Sequence, residues 1–381
     1  MTLFLLTILG IYGAVHVYAF LKVKAAFPFG VGMGMLLAVF MAAMICAPIL
    51  VRLLERQGYE SLARLIAYIG YSWMGFLFLF FSISLLTDIY WLLVHGAGLI
   101  LCRDIVQFML SARVLFLIPF CLAFALSLYG YFAALHIRPE RITFRSSKIP
   151  AALGRLRIAQ ISDVHLGIMV REERLKRIVR VIREANPDIL ISTGDLVDGQ
   201  ANSLAGLAEA LQEIRPRYGK YAITGNHEFY AGLPHALEFT QATGFSILRG
   251  AAKTVAGLIN IAGVDDPAGQ RFGLSKGVPE KELLAGLPKD TFTLLLKHQP
   301  NVNASALGLY DLQLSGHTHG GQIFPFRLVT RIFFPHDAGW YDLPQGAHLY
   351  VSRGTGTWGP PIRVLASPEV TLIDLIHDNR P

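Results

Sequence analysis

Charge is nearly missing from the first third of this 381-residue chain. Residues 1–136 hold eleven charged side chains: Lys22, Lys24, Arg52, Arg56, Arg64, Arg103 and Arg113 against Glu55, Glu60, Asp88 and Asp104. A bilayer-spanning helix needs roughly 20 apolar residues. Four stretches meet that length: 2–21, 29–51, 65 to about 86, and 114–135. The first lacks a basic n-region, so it reads as an anchor and not as a cleaved signal. The apolar segment 89–110 is broken by Gly96, Gly98, Arg103 and Asp104, and reads as interfacial or re-entrant. The remaining residues have the composition of an ordinary globular domain. The expectation is therefore a helical membrane anchor followed by one soluble domain.

Lys and Arg bias sets orientation. With four spans, Arg52, Arg56 and Arg64 share a side with Arg138, Arg141, Arg145 and Lys148, against Lys22, Lys24, Arg103 and Arg113. This bias puts the soluble domain in the cytoplasm, on an inner membrane. All three cysteines (Cys46, Cys102, Cys121) lie in the anchor, so the soluble domain has no disulfide, which fits a reducing compartment. The net charge of +7 suits anionic lipid heads or phosphate. No motif or aromatic–basic interleaving points to nucleic acid.

The soluble half alternates short apolar runs with helical patterns. "LRIAQIS" (156–162) and "DILIS" (188–192) read as buried strands around a helix at 171–185, a β-α-β unit with parallel strands. A helix at 204–214 and a strand at 220–224 come next, with further strands at 258–262, 292–296, 310–314, 348–351 and 370–376. The Gly- and Pro-rich stretch 267–279 reads as a loop. The periodicity establishes an α/β class and no more.

The residues just past the strands are more specific. The endings are Ser162-Asp163-Val164-His165, Thr193-Gly194-Asp195, Gly225-Asn226-His227-Glu228, Lys297-His298 and Gly316-His317-Thr318-His319. Ligands of open α/β sheets bind beyond the carboxyl ends of strands. Singly, each ending is an ordinary polar turn or helix cap. Five in succession place Asp163, His165, Asp195, Asn226, His227, His298, His317 and His319 where they can converge. Imidazole and carboxylate without thiolate suit Zn, Mn or Fe, and eight such groups exceed one tetrahedral site but fit two ions. Two ions about 3.5–4 Å apart clamp an in-line displacement at phosphorus. Glu228 could orient His227 or a ligand, or be a solvated turn carboxylate; Asp198 reads as a loop residue.

These motifs resemble those of the calcineurin-like metallophosphoesterases over residues 155–376, which leaves 137–154 as a linker. The phrases "ISDVHLG", "STGDLVDG", "TGNHEFY", "LSGHTHGGQ" and "VSRGTGTWGPP" look like a bacterial, membrane-tethered branch. The resemblance implies a two-sheet β-sandwich flanked by helices. It implies two divalent metal ions: Asp163, His165 and His319 on the first, Asn226, His298 and His317 on the second, and Asp195 on both. His227 is similar to the family's non-ligand histidine, which donates a proton or steadies the transition state. Arg353 is a candidate for a substrate phosphate. The implied activity is hydrolysis of a phosphate ester. The tether favours a lipid-linked phosphodiester or pyrophosphate such as UDP-diacylglucosamine, whose pyrophosphate a relative in the family cleaves. The competing readings are a general phosphodiesterase on soluble substrates and a non-catalytic membrane scaffold. The complete ligand set argues against the scaffold. A transporter would need polar groups within the spans, and these hold little beyond Asp88.

Overall fold

The computed structural model describes residues 2–101, 108–198, 204, 206–275 and 277–378. The expectations for Cys102, Arg103 and Asp104 lie outside the described residues. The chain divides into two compact units, Met1–Phe132 with Gly359–Ile362 and Ala133–Trp358 with Arg363–Pro381.

The first unit is helical: α1 (Thr2–Ala26), α2 (Val31–Arg56), α3 (Glu60–Leu101) and α4 (Ala112–Leu135). All four are long and apolar enough to cross a membrane. The segment expected to be interfacial instead continues α3 as far as Leu101, giving 42 residues, or roughly 63 Å at about 1.5 Å per residue. Glycines such as Gly96 weaken a helix in water but are common in apolar membrane helices. α2 and α3 pack through small residues, and a Cβ on Gly70 would lie 2.6 Å from the Ala47 Cβ, so only glycine permits that approach. Asp88 pairs with Lys22 and accepts from the Tyr18 hydroxyl at 2.5 Å, which neutralises the acid within α3.

The second unit is a sandwich of two mixed six-stranded sheets. In chain order it runs β1 (Arg138–Ser146), β2 (Arg155–Ile161), α5 (Glu172–Ala185), β3 (Ile189–Ser192), α6 (Ala208–Gln212), β4 (Lys220–Ala222), α7 (Asn226–Ala231), α8 (Leu233–Ala242), β5 (Ser246–Ile247), β6 (Ala251–Val255) and β7 (Ile259–Gly263). It continues through α9 (Ala268–Arg271), α10 (Glu280–Ala285), β8 (Phe292–Leu296), β9 (Leu312–Ser315), α11 (Phe326–Phe333), β10 (Gly339–Asp342), β11 (His348–Val351) and β12 (Glu369–His377). The first sheet has the order β1-β12-β2-β3-β4-β5 and the second β10-β11-β9-β8-β7-β6. The β2–β3 pairing is parallel, as the β-α-β reading requires. Residues 138–146, within the expected linker, form a strand parallel to β12.

Side chains alternate across each strand. Ile158, Ile189 and Ile191 meet Ile261, Leu294 and Leu312 between the sheets. Ala159, Ile161 and Leu190 face Leu175, Ile178 and Ile182 of α5 on the outer side. Ala262 and Leu295 pack against Leu284 and Tyr310 beyond the second sheet. The strands β2, β3 and β4 are parallel in one sheet and β8 and β9 in the other. Their carboxyl ends carry all five polar endings.

Candidate metal centre

The strand-end loops bring the eight expected side chains together, seven of them buried and His317 half-buried. His317 donates its backbone N–H to both Asp163 oxygens at 2.9 and 3.0 Å, which joins the β9 and β2 loops. The Nε2 atoms of His165 and His319 lie 3.0 Å apart, and His319 Nε2 is 3.6 Å from Asp163 Oδ1. On the other side of Asp195, its Oδ2 is 3.2 Å from His298 Nε2, which is 3.2 Å from His317 Nδ1. Asp195 Oδ2 is also 3.8 Å from His165 Nε2. Asp163–His165–His319 and Asp195–His298–His317 are each clustered tightly enough to hold an ion, as are His165, Asp195 and His227. Asp195 thus has imidazoles of both outer clusters around it.

The donors suit divalent cations. His298 Nδ1 donates to the Thr193 carbonyl at 2.8 Å, which leaves Nε2 facing the cluster as a lone pair in the neutral ring. Burial, followed by the cation of His298, holds the His317 pKa at about 3. Burial and then His227 lower that of His165 to about 4. His319 is pushed well down by burial and by Arg363. These three rings are therefore neutral near pH 7, the state in which imidazole binds a metal. Burial also opposes charge on His298 and Asp195, yet their mutual attraction wins: His298 rises well above the usual range and Asp195 falls well below it. A divalent cation held by these two residues would take the place of that proton. Asn226 Oδ1 is buried without a hydrogen-bond donor, and an unsatisfied carbonyl of this kind fits a ligand position.

Backbone strain marks the same residues. Asp163, His165, Asp195, His317 and His319 have φ between +51° and +71°. Left-handed backbone costs an L-residue about 1–2 kcal/mol, and such strain persists where surrounding structure enforces it. Glu228 is one such enforcer, and it is neither solvated nor a simple turn residue. Its buried carboxylate accepts from the backbone N–H groups of Asp195 (3.0 Å), Leu196 (2.7 Å), Val197 (3.2 Å) and Gly225 (2.7 Å). Gly225 is required here, because a Cβ would lie 2.1 Å from Asp195 Oδ1.

His227 stands apart electrically. Its Nδ1 donates to Asp198 at 2.5 Å, and its ring is 4.6 Å from that of His165. Burial opposes its charge, but Asp198 and Asp195 outweigh burial and lift its pKa to about 9. Asp198 therefore belongs to the site, although sequence reasoning took it for a loop residue. Arg363 was also missed. It is fully buried, contacts His319 Nδ1 at 3.1 Å, and donates to the carbonyls of His319, Arg353, Gly356 and Ala366. Arg353 is occupied by Glu140 (2.7 Å) and Glu369 (2.5 Å), which compete with any phosphate for its guanidinium.

Residues 156–321 match the family described as calcineurin-like phosphoesterase. The chain is 39% identical over 255 residues to an uncharacterized metallophosphoesterase of Aquifex aeolicus, an alignment covering 67% of this chain and 97% of that protein. It is 33% identical over 270 residues to an uncharacterized metallophosphoesterase of Bacillus subtilis, covering 66% and 91%. A transmembrane protein with metallophosphoesterase domain from Danio rerio is 35% identical over 239 residues, covering 60% of this chain and 55% of the relative, so the chain spans about half of that protein. Taken with a buried cluster of carboxylates and imidazoles at five strand ends, these likenesses make the chain a metal-dependent phosphoesterase of the calcineurin-like family.

Proposed function

We propose that this chain hydrolyses a phosphodiester or pyrophosphate of a lipid-linked substrate, with two divalent ions (Mn, Zn or Fe) as cofactors. The observation that carries the chemistry is the placement of Asp195 between the His165 and His298 imidazoles. In this reading Asp163, His165 and His319 would hold one ion, Asn226, His298 and His317 would hold the other, and Asp195 would serve both. When bound, the ions activate water and offset charge on the phosphoryl oxygens. The attacking water gives up a proton to solvent, and the P–O bond to the leaving group breaks as the bond to its oxygen forms. His227, protonated below about pH 9, donates a proton to the leaving oxygen. Asp198 holds the ring by Nδ1 and leaves Nε2 for that transfer. His227 is near enough to Asp195 to be a ligand itself, but its charge argues for the acid role.

Residues 1–136 form the anchor in this reading, and Lys/Arg bias orients the hydrolase domain toward the cytoplasmic face of an inner membrane. The tether supports a substrate within the bilayer, of which UDP-diacylglucosamine is one example. The test is an assay of the detergent-solubilised full-length chain on bis-p-nitrophenyl phosphate and on a lipid-linked pyrophosphate, before and after chelation and metal return. Metal-restored turnover of both, faster on the lipid, is expected. Turnover of the soluble ester alone would leave a general phosphodiesterase.

A further inference from the structure

Helix α11 is inverted for a surface that faces water. At 100° per residue, Leu328, Val329, Ile332 and Phe333 fall on one arc, and Arg327, Thr330 and Arg331 on the opposite arc. The polar arc turns toward the protein at Arg327 and Thr330, while Arg331 stays half exposed at its edge. Thr330 is buried, and Arg327 and Arg331 both pair with the buried carboxylate of Asp337, Arg331 at 3.2 Å. The apolar arc is left outward, with Ile332 75% and Phe333 71% exposed. Further exposed apolar side chains lie on the segments joined to the start of the helix. Phe324 donates its N–H to the Val364 carbonyl at 3.1 Å, beside Leu365, and Gln322 holds the Trp358 backbone through two bonds of 2.9 Å. Phe324, Trp358 and Leu365 are all exposed.

Contiguous exposed apolar surface marks an interaction site, and three observations name the occupant. Among the described residues four helices are long and apolar enough to cross a membrane, which supports a tether holding this domain beside a bilayer. A short helix with aliphatic and aromatic residues on one arc and arginines on the other matches an interfacial helix. Two guanidinium groups on one carboxylate leave a positive balance, which complements anionic headgroups. The surface also borders the metal centre: the Phe334 ring packs on His317 at 4.9 Å and the Trp358 ring on His227 at 5.7 Å.

We propose that α11, with Phe324, Trp358 and Leu365, docks into the headgroup layer of an anionic bilayer beside the metal centre. That the centre then receives a phosphate ester from that layer rests on the lipid-substrate reading. The docking itself does not, and the test separates the two.

The test uses the full-length chain with its three cysteines replaced by alanine, reconstituted in phosphatidylethanolamine–phosphatidylglycerol vesicles containing spin-labelled lipid. An environment-sensitive fluorophore is placed at Ile332→Cys. A control is placed at Lys289→Cys, an exposed position before β8, at the strand end opposite His298. Turnover of bis-p-nitrophenyl phosphate verifies that each variant is folded. The probe at 332 is expected to be quenched more than about twofold over the control, with blue-shifted emission. Equal quenching at the two positions would overturn the proposal. Blue-shifted emission without lipid quenching would also overturn it, in favour of a second copy or another protein on this face. Quenching at 332 with no hydrolysis of a lipid-linked pyrophosphate would uphold the docking and remove the substrate reading.

Discussion

The anchor and the metal centre are specified in opposite ways. In α1–α4, Leu, Ile and Phe lie exposed along whole helices, such as Leu92, Leu93 and Ile100 of α3. Lipid as solvent asks only that such positions be apolar. In the metal centre nearly every position is individual. Asp163, Asp195, His298 and Glu228 are buried charges or dipoles, costly unless each finds its partner. The comparison teaches that composition fixes where the anchor is, whereas single atoms fix what the domain does.

Substitutions ranked by their effect on turnover of a soluble phosphodiester test that contrast. The largest loss is expected for Asp195→Asn, which removes the charge shared by both clusters; metal content and nearly all activity should fall together, as elemental analysis and kinetics will read. Two retained ions with normal turnover would remove Asp195 as the bridge. His227→Ala should keep its metal and lose roughly 10²–10⁴-fold in kcat, the usual worth of a general acid. Loss of an ion would make His227 a ligand instead. Asp198→Asn should cost about 10–100-fold, as for groups that orient others. The sign of its pH effect follows from the raised pKa of His227. The acid is present below about pH 9, so activity falls as pH rises through that value. Without the Asp198 carboxylate the His227 pKa drops, and the descending limb should move to lower pH in a pH–rate profile. The smallest effect belongs to the anchor. Deleting residues 1–136 should leave soluble-ester turnover within about twofold and reduce turnover of a bilayer-embedded substrate, because the tether sets local concentration. A cut after residue 150 would confuse the result, since it also deletes β1 from the sheet.

Much of this was legible in sequence because buried strands and candidate metal ligands leave local signatures. "FTLLL" and "HLYV" coincide with β8 and β11, and the five endings occur in five short windows. The features that were not legible depend on partners distant in sequence. β1 is an edge strand with alternating exposed residues, and its identity comes from pairing with β12, more than 200 residues later. β5 has two residues, too short for a period. Asp198 gains meaning only from His227, and Glu228 only from four backbone amides whose placement depends on the fold. Arg353 was the arginine singled out in sequence, yet Arg363 is the one buried against His319.

The central claim is that two ions share Asp195 while His227 stays outside the coordination sphere. Anomalous diffraction from manganese-loaded crystals of the full-length chain tests it most directly. The expected result is two peaks about 3.5–4 Å apart, both within bonding distance of Asp195, with His227 bound to Asp198 and to neither ion. A single peak, or one coordinated by the His227 imidazole, would contradict the account.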